Sequence, residues 1–231
     1  MIAIAVAMLP FVVSGCGGSS GFTGGSFPPA LVGRVVDATS PVQKPIPGAS
    51  VVITAVPQSG RAVNLSEVTN ATGSFYFPRV DLGAATGAVT VSITPPTNAY
   101  RPEQVSFVMQ QSINGDLLVC LDPSVGGHTG ASLALPVESF KVGQTASLNA
   151  QLLDAAGKAV AVQPTVLALG NLGVVNPDGT FTAIASGSGV VAVFWYALPP
   201  VTQAITVTEP PVSTAPSGGA TGASSGGTTT K

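Results

Sequence analysis

Short runs of β-branched and aromatic residues alternate along this chain with turns that are rich in glycine and proline. Val, Ile, Thr and Phe fit a pleated surface, whereas Gly and Pro interrupt regular structure and set turns. The runs recur about every 8–20 residues without a convincing helical period, and this spacing predicts an all-β chain of two consecutive β-sandwich domains. In the first part of the chain, the runs expected to form strands and their turns are Leu31–Asp37, Ala49–Pro57, Glu67–Val80, Gly87–Pro95, Gln104–Gln110 and Gly115–Asp122.

Two turn signals are specific enough to predict hairpins. The sequence Asn-Ala-Thr-Gly at 70–73 leads into Phe75 and Phe77, which alternate along the chain and should share one face of a sheet. Later, Asp-Ala-Ala-Gly at 154–157 ends on Gly157, which can take the positive φ that such turns need. Both parts of the chain are therefore expected to contain antiparallel strand pairs.

The N-terminal stretch "MIAIAVAMLPFVV" is apolar and carries no charge. As a helix it would span about 20 Å, short of the ~30 Å hydrocarbon core, so its length fits the apolar region of a signal peptide. The motif "VSGC" at 13–16 resembles the lipobox of bacterial lipoproteins, in which the cysteine is acylated and the signal is cleaved before it. The resemblance implies lipid attachment at Cys16 and a location in the bacterial cell envelope, lipid-anchored and facing away from the cytoplasm. No basic residue precedes Arg34, so either the true start lies upstream of Met1 or the signal is atypical.

Composition divides the rest of the chain. Residues 17–29 and 210–231 are rich in Gly, Ser, Thr and Pro, and such segments do not bury enough surface to offset their ordering entropy. A third Gly-rich stretch, "SVGGHTGAS" at 124–132, separates the two strand-rich parts. The predicted organisation is a signal peptide at 1–15, a lipidated flexible tether at 16–29, a β-sandwich at 30–123, a second β-sandwich at 131–209 and a disordered tail at 210–231.

Each strand-rich part carries motifs of a known family. Gly33 in the opening strand, "PGA" at 47–49 and the stretch Asn70–Phe75 resemble the carboxypeptidase regulatory-like domain, a transthyretin-like β-sandwich. Those domains lack a catalytic site and usually serve as stiff modules, so the resemblance implies a structural part here. The pattern V-x-x-D-G-T-F-T-A-x-x-x-G at 175–187 resembles the group 2 bacterial immunoglobulin-like domain.

Charge and histidine content argue against several functions. Charged residues make up 8% of the chain, against an ordinary value of about 25%, and the basic residues are scattered, so no nucleic-acid partner is expected. The single histidine, His128, lies in the Gly-rich break and is interpreted as a solvated linker residue, so we predict no enzyme activity. The aspartates are isolated and mostly sit at turns, so no metal and no cofactor is predicted. Asp122 is the one candidate ligand for a calcium ion at the domain junction.

Two further residues are singled out. Cys120 lies in an alternating strand, and with Cys16 committed to the anchor it is expected to be a buried free thiol. Trp195 in the aromatic stretch "VFWY" is the candidate for a carbohydrate contact, because sugar-binding sandwiches stack rings on exposed aromatic side chains. Since successive strand residues point to opposite faces, either Trp195 is exposed while Phe194 and Tyr196 are buried, or the reverse.

These features together predict a non-catalytic lipoprotein of the envelope with a structural, adhesive or binding role. Its partners would be the membrane, through the lipid anchor, and a polysaccharide or a protein at the cell surface. The alternative is a carbohydrate-binding accessory protein for a polysaccharide-processing system, and an exposed Trp195 beside a shallow groove would favour it.

Overall fold

The computed structural model describes residues 30–40, 43–57, 62–82, 86–136 and 139–210. The predicted signal peptide, the tether with Cys16, and the tail from residue 211 onward lie outside the described residues. The described part of the chain consists of strands joined by turns and contains no helix, which confirms the all-β prediction. Accordingly, this part holds no helix long and apolar enough to cross a membrane.

The strands fall into two groups along the chain, which we call the first half (residues 30–123) and the second half (residues 131–209). The strands described in the first half are β1 (Leu31–Asp37), β2 (Ser50–Pro57), β3 (Val63–Val68), β4 (Ser74–Phe77), β5 (Thr86–Thr94), β6 (Glu103–Gln110) and β7 (Gly115–Leu121). Those of the second half are β8 (Ser132–Ala134), β9 (Ser139–Lys141), β10 (Thr145–Ser147), β11 (Gln151–Leu153), β12 (Ala159–Val160), β13 (Thr165–Leu169), β14 (Gly173–Val175), β15 (Thr180–Ala183), β16 (Gly187–Phe194) and β17 (Val201–Thr208).

One long sheet runs through both halves. This central sheet has seven strands in the order β4-β1-β7-β13-β16-β17-β9. A four-stranded sheet, β3-β2-β5-β6, belongs to the first half, and two three-stranded sheets, β10-β15-β14 and β12-β11-β8, belong to the second. The arrangement is therefore a layered sandwich whose middle layer is shared.

The two halves meet through the backbone pairing of β7 with β13. The strands run antiparallel, with Val166 opposite Leu118 at one end and Leu169 opposite Gly115 at the other. On its other edge β7 pairs in parallel with β1. A strand of the first half is thus enclosed between a neighbour from its own half and a neighbour from the second half.

The central sheet separates two hydrophobic cores. From β7, Leu117 enters the first core against the four-stranded sheet, and Leu118 enters the second core against the three-stranded sheets. From β13, Leu167 enters the first core and Val166 enters the second core. Each such fully buried side chain is worth about 1.5–3 kcal/mol. Strands covered on both faces carry near-continuous apolar sequences, as these do.

Both predicted turns are present, but only the one at 154–157 closes a hairpin, between β11 and β12. The turn at 70–73 instead carries the chain from β3 in the four-stranded sheet to β4 in the central sheet, where β4 pairs with β1. Gly73 and Gly157 have φ values of +71° and +77°, in the left-handed region that glycine adopts without penalty. A Cβ at Gly73 would lie 2.5 Å from the carbonyl oxygen of Val35, so the site also excludes any side chain. Phe75 and Phe77 share the first core, with ring centroids 6.0 Å apart, which confirms that they lie on one face.

Candidate functional site at the junction of the two halves

Polar side chains from both halves meet where the end of β7 reaches the start of β13. Because β7 and β13 run antiparallel, the C-terminal end of β7, in the first half, lies beside the N-terminal end of β13, in the second half. Two more strands contribute side chains to this meeting point: Glu103 is the first residue of β6, and Tyr196 lies just after the end of β16. We call this set the junction cluster; its members are Arg101, Glu103, Asp122, His128, Thr165 and Tyr196.

Asp122 is the centre of the cluster, and its side chain is fully buried. Its Oδ2 accepts a hydrogen bond from the backbone N–H of His128 at 2.5 Å, and its Oδ1 lies 2.7 Å from His128 Nδ1. Arg101 Nη1 lies 3.9 Å from Oδ2 and adds a positive charge at the rim. Several charge-assisted contacts thus compensate the loss of water around this carboxylate.

These contacts correct the interpretation of His128 as a solvated linker residue. Its side chain is 37% exposed, but its ring and its backbone are both fixed on Asp122. The Gly-rich break therefore folds back onto the first half at this point. As for the predicted absence of metal, the described residues contain no group of three His, Cys, Asp or Glu side chains that could hold a metal ion.

Tyr196 connects the second half to Asp122. Its hydroxyl oxygen accepts a hydrogen bond from the backbone N–H of Asp122 at 2.8 Å. The guanidinium of Arg101 lies 4.4 Å from the ring centroid, and Trp195 packs edge-on at 5.0 Å. The φ of Tyr196 is +40°, a conformation that costs a non-glycine residue about 1–3 kcal/mol. The surrounding contacts hold the tyrosine there.

Glu103 makes the second polar link between the halves. Its Oε2 accepts a hydrogen bond from Thr165 Oγ1 at 2.8 Å, and the same Thr165 oxygen accepts one from the backbone N–H of Cys120 at 3.0 Å. Both Glu103 and Thr165 are buried. Glu103 Oε1 is buried as well and has no hydrogen-bond partner among the described residues.

Burial sets the protonation state of Glu103. Loss of hydration raises the pKa of its carboxyl group to about 8, and the hydrogen bond from Thr165 and the nearby backbone of Tyr196 offset only part of that rise. The negative charge of Asp122 raises it further. Glu103 is therefore neutral at pH 7. Burial likewise raises the pKa of the Tyr196 hydroxyl, and the negative charge of an ionised Glu103 raises it further.

The arrangement can hold two sheets in one relative position. Every member of the cluster touches a group from another strand or from the linker, and the two carboxyl groups sit where strands of different halves converge. Burial raises the pKa of the neighbouring Cys120 thiol, which keeps it protonated. Cys120 is buried and free, as predicted.

The structure places Trp195 in the second core, only 3% exposed. Phe194, its neighbour in sequence, is also buried, but in the first core. Both are covered because β16 is an inner strand of the central sheet with a core on each face. This corrects the prediction of a carbohydrate contact at Trp195, since a ring that stacks on sugar needs an exposed face.

Sequence reasoning missed Glu103, although a signal was present. Glu103, Val105, Phe107 and Met109 share one phase of the strand alternation, and the three that follow Glu103 are apolar. A carboxylate in the inward phase of a strand predicts either a buried partner or a raised pKa. Thr165 gives no such signal, because its role depends on which strand lies beside β13.

No protein-family model and no curated protein matches this sequence. Similar solved structures include sea bream transthyretin in complex with thyroxine, at 17% identity and a TM-score of 0.28, covering 38% of this chain and 85% of that chain. The Bacillus anthracis TIE protein is 15% identical with a TM-score of 0.29, covering 78% of this chain and 33% of that one. Invasin, a bacterial integrin-binding protein, is 17% identical with a TM-score of 0.22, covering 79% of this chain and 39% of that one. This chain thus spans less than half the length of the last two.

Proposed function

We propose that this chain is a non-catalytic lipoprotein of the bacterial envelope, anchored through Cys16, whose two halves act as one stiff unit in a structural or adhesive role. The observation that carries the stiffness is the pairing of β7 with β13 within a sheet buried on both faces. The lipid anchor rests on the resemblance of residues 13–16 to a lipobox.

The shared sheet opposes bending between the halves. To rotate one half against the other, the β7–β13 hydrogen bonds would have to break and Leu167 would have to leave the first core. The junction cluster would also lose its buried hydrogen bonds, each of which leaves an unsatisfied group at a cost of about 1–3 kcal/mol. Two sandwiches joined only by a Gly-rich linker would meet none of these costs.

The remaining parts of the proposal come from composition. Two or three acyl chains on a mature N-terminal cysteine give stable membrane attachment, whereas a single chain does not. The Gly/Ser content of residues 17–29 predicts a flexible tether that sets the stiff unit away from the membrane. The surface partner in this proposal is a protein or a polysaccharide. The carbohydrate-accessory alternative loses its main support, because Trp195 is buried.

The anchor is tested by metabolic labelling with radioactive palmitate in a bacterial host. The chain has two cysteines, so Cys120→Ala provides a matched control for Cys16→Ala. We expect label and membrane sedimentation for the wild type and for Cys120→Ala, and neither for Cys16→Ala. Label that persists in Cys16→Ala would refute the anchor.

The stiffness is tested by measuring a distance between the halves. Val108 on β6 and Ile184 after β15 are exposed, and spin labels on cysteines placed there report the separation by pulsed electron resonance in a background in which both native cysteines, Cys16 and Cys120, are replaced by alanine. We expect a single narrow distance distribution. A broad distribution would show that the halves move independently and would remove the stiff-unit part of the proposal.

A further inference from the structure

A cavity of about 230 Å³ lies at the opposite end of the β7–β13 pairing from the junction cluster. Residues of both halves line it, among them Val32 on β1, Gly115 and Asp116 on β7, and Leu169 on β13. At ~30 Å³ for each water molecule, the space corresponds to about seven or eight waters. It is therefore large enough for a small organic molecule.

The walls of the cavity are mostly apolar. Leu172 and Phe181 of the second half are buried and contribute to the lining. Around them the lining residues Val32, Val174 and Ile184 are 42%, 43% and 60% exposed, which is unusual for side chains of this size. An apolar body of a ligand would cover surface that is now in contact with water.

The two loops beside the cavity are fixed to each other. The backbone N–H of Asn114 donates to Asn171 Oδ1 at 2.8 Å, and Asn171 Nδ2 donates to the carbonyl oxygen of Ser112 at 3.2 Å. Asn171 and Ser112 have φ values of +58° and +83°, which these hydrogen bonds stabilise. The cavity is thus formed before any ligand arrives, and preformed sites lose less entropy on binding.

Among the described residues that line the cavity, Asp116 is the only ionisable one. Its Oδ2 accepts the backbone N–H of Val175 at 2.8 Å, which fixes the carboxylate against the outer edge of β14. Arg34 on β1 is the charged group that acts on it, and it lies on an exposed part of the strand. Burial raises the pKa of Asp116 to about 6, while the hydrogen bond from Val175 and the charge of Arg34 lower it in part. The carboxylate is therefore ionised at pH 7 but only partly compensated.

We propose that this cavity binds a small organic cation, in which an ammonium group meets the Asp116 carboxylate and a short apolar chain lies against Leu169 and Leu172. Charge complementarity selects the cation, because the described lining residues include one negative group, Asp116, and no positive group; Arg34 acts on Asp116 from outside this lining. The apolar walls select a molecule with a hydrocarbon part over a simple hydrated ion. A ligand held there touches both halves at once and adds a second tie between them.

The test is an NMR titration of the full chain in non-ionic detergent with n-butylammonium, with butyrate and n-butanol as matched probes. At pH 7.5 we expect saturable shifts of the amides of Gly115, Val174 and Val175 with butylammonium and no saturable shifts with butyrate. Asp116→Asn keeps an acceptor for the Val175 N–H, so it should retain the fold and lose about tenfold or more in affinity. Glu67→Gln removes the same charge from exposed β3 and should bind like the wild type.

A second variant covers a failure of Asp116→Asn to fold. Val174→Lys adds a positive charge at an exposed edge position beside the cavity, and it should also weaken binding. Lowering the pH of the wild type below about 6 should weaken binding as Asp116 takes up a proton. Equal affinity in Asp116→Asn or Val174→Lys and the wild type, equal binding of butyrate, or shifts that map away from the cavity would overturn the proposal. Because none of these readings depends on acylation, failure here is distinct from failure of the lipid anchor.

Discussion

The two ends of the β7–β13 pairing contrast in how they use buried carboxyl groups. At one end Glu103 is fully enclosed, hydrogen-bonded to Thr165, and has a pKa of about 8. At the other end Asp116 borders an open cavity and has a pKa of about 6, a value that the positive charge of Arg34 helps to lower. The more complete the loss of water, the higher the pKa of the carboxyl group. One end is therefore suited to holding the halves together, and the other to receiving a ligand.

The largest effect is expected from Glu103→Gln. Burial keeps Glu103 protonated in the folded chain up to about pH 8, whereas the unfolded chain releases the proton near 4.5. The folded state thus binds more protons between these values, so wild-type stability falls as pH rises through this window, by up to about 1.4 kcal/mol per pH unit. The variant should be more stable than the wild type by several kcal/mol at pH 8, with the difference vanishing below about pH 4.5.

Urea denaturation followed by the fluorescence of Trp195, the single tryptophan, measures this difference across pH. Glu67→Gln on exposed β3 is the matched control and should follow the wild-type curve. A Glu103→Gln curve that keeps the wild-type slope between pH 5 and 8 would contradict the assignment of that slope to Glu103.

Leu167→Ala removes a side chain that the second half contributes to the first core. Deleting a fully buried leucine side chain costs about 2–5 kcal/mol. If the halves unfold as one unit, the transitions seen by Trp195 fluorescence and by far-UV circular dichroism should move together. Leu152→Ala, in the second core alone, is the control and should shift both signals as well. Two separated transitions in either variant would show that the halves unfold independently.

Asp116→Asn should change stability over a lower pH window. The carboxyl group titrates near 6 in the folded chain and near 3.8 when unfolded, so wild-type stability falls as pH rises between these values. At pH 7 the amide should raise the free energy of unfolding by about 3 kcal/mol, because the two pKa values differ by about 2.2 units and each unit corresponds to about 1.36 kcal/mol. The same variant should bind butylammonium less well, so stability and binding change in opposite senses. A variant less stable than the wild type at pH 7 would show that Asp116 supports the fold by its charge.

The smallest effect is expected from Tyr196→Phe. This variant keeps the ring beneath Arg101 but removes the oxygen that accepts the backbone N–H of Asp122. An unsatisfied N–H at this part-buried position should cost about 1 kcal/mol. Hydrogen exchange of the Asp122 amide should become faster while distant amides in β2 and β5 change little. Unchanged exchange at Asp122 would mean that another group accepts this hydrogen bond.

Much of the local structure could be predicted from sequence. The turns at Gly73 and Gly157, the common face of Phe75 and Phe77, and the buried thiol of Cys120 all follow from alternation and turn chemistry. Each depends on residues within a few positions of one another. The domain boundaries, the lipid anchor and the surface partner stay predictions.

The burial of Trp195 shows where such reasoning fails. Alternation implied that of Phe194 and Trp195 one would face solvent, which holds for a sheet with one covered face. The apolar run "VVAVFW" at 190–195 is instead typical of a strand covered on both faces, and that signal was in the sequence. Only the assembled sheet shows that β16 occupies an inner position.

Sequence alone decided the strand-rich composition, the positions of the turns and the alternation within each strand, because these depend on local backbone preferences. The tertiary structure decided that β7 lies beside β13, and with it came the junction cluster, the two-sided burial of the central sheet and the cavity at Asp116. Strand partners far apart in the chain are chosen by the total surface that each arrangement buries and by whether its polar groups find partners. Neither quantity can be read from a single segment.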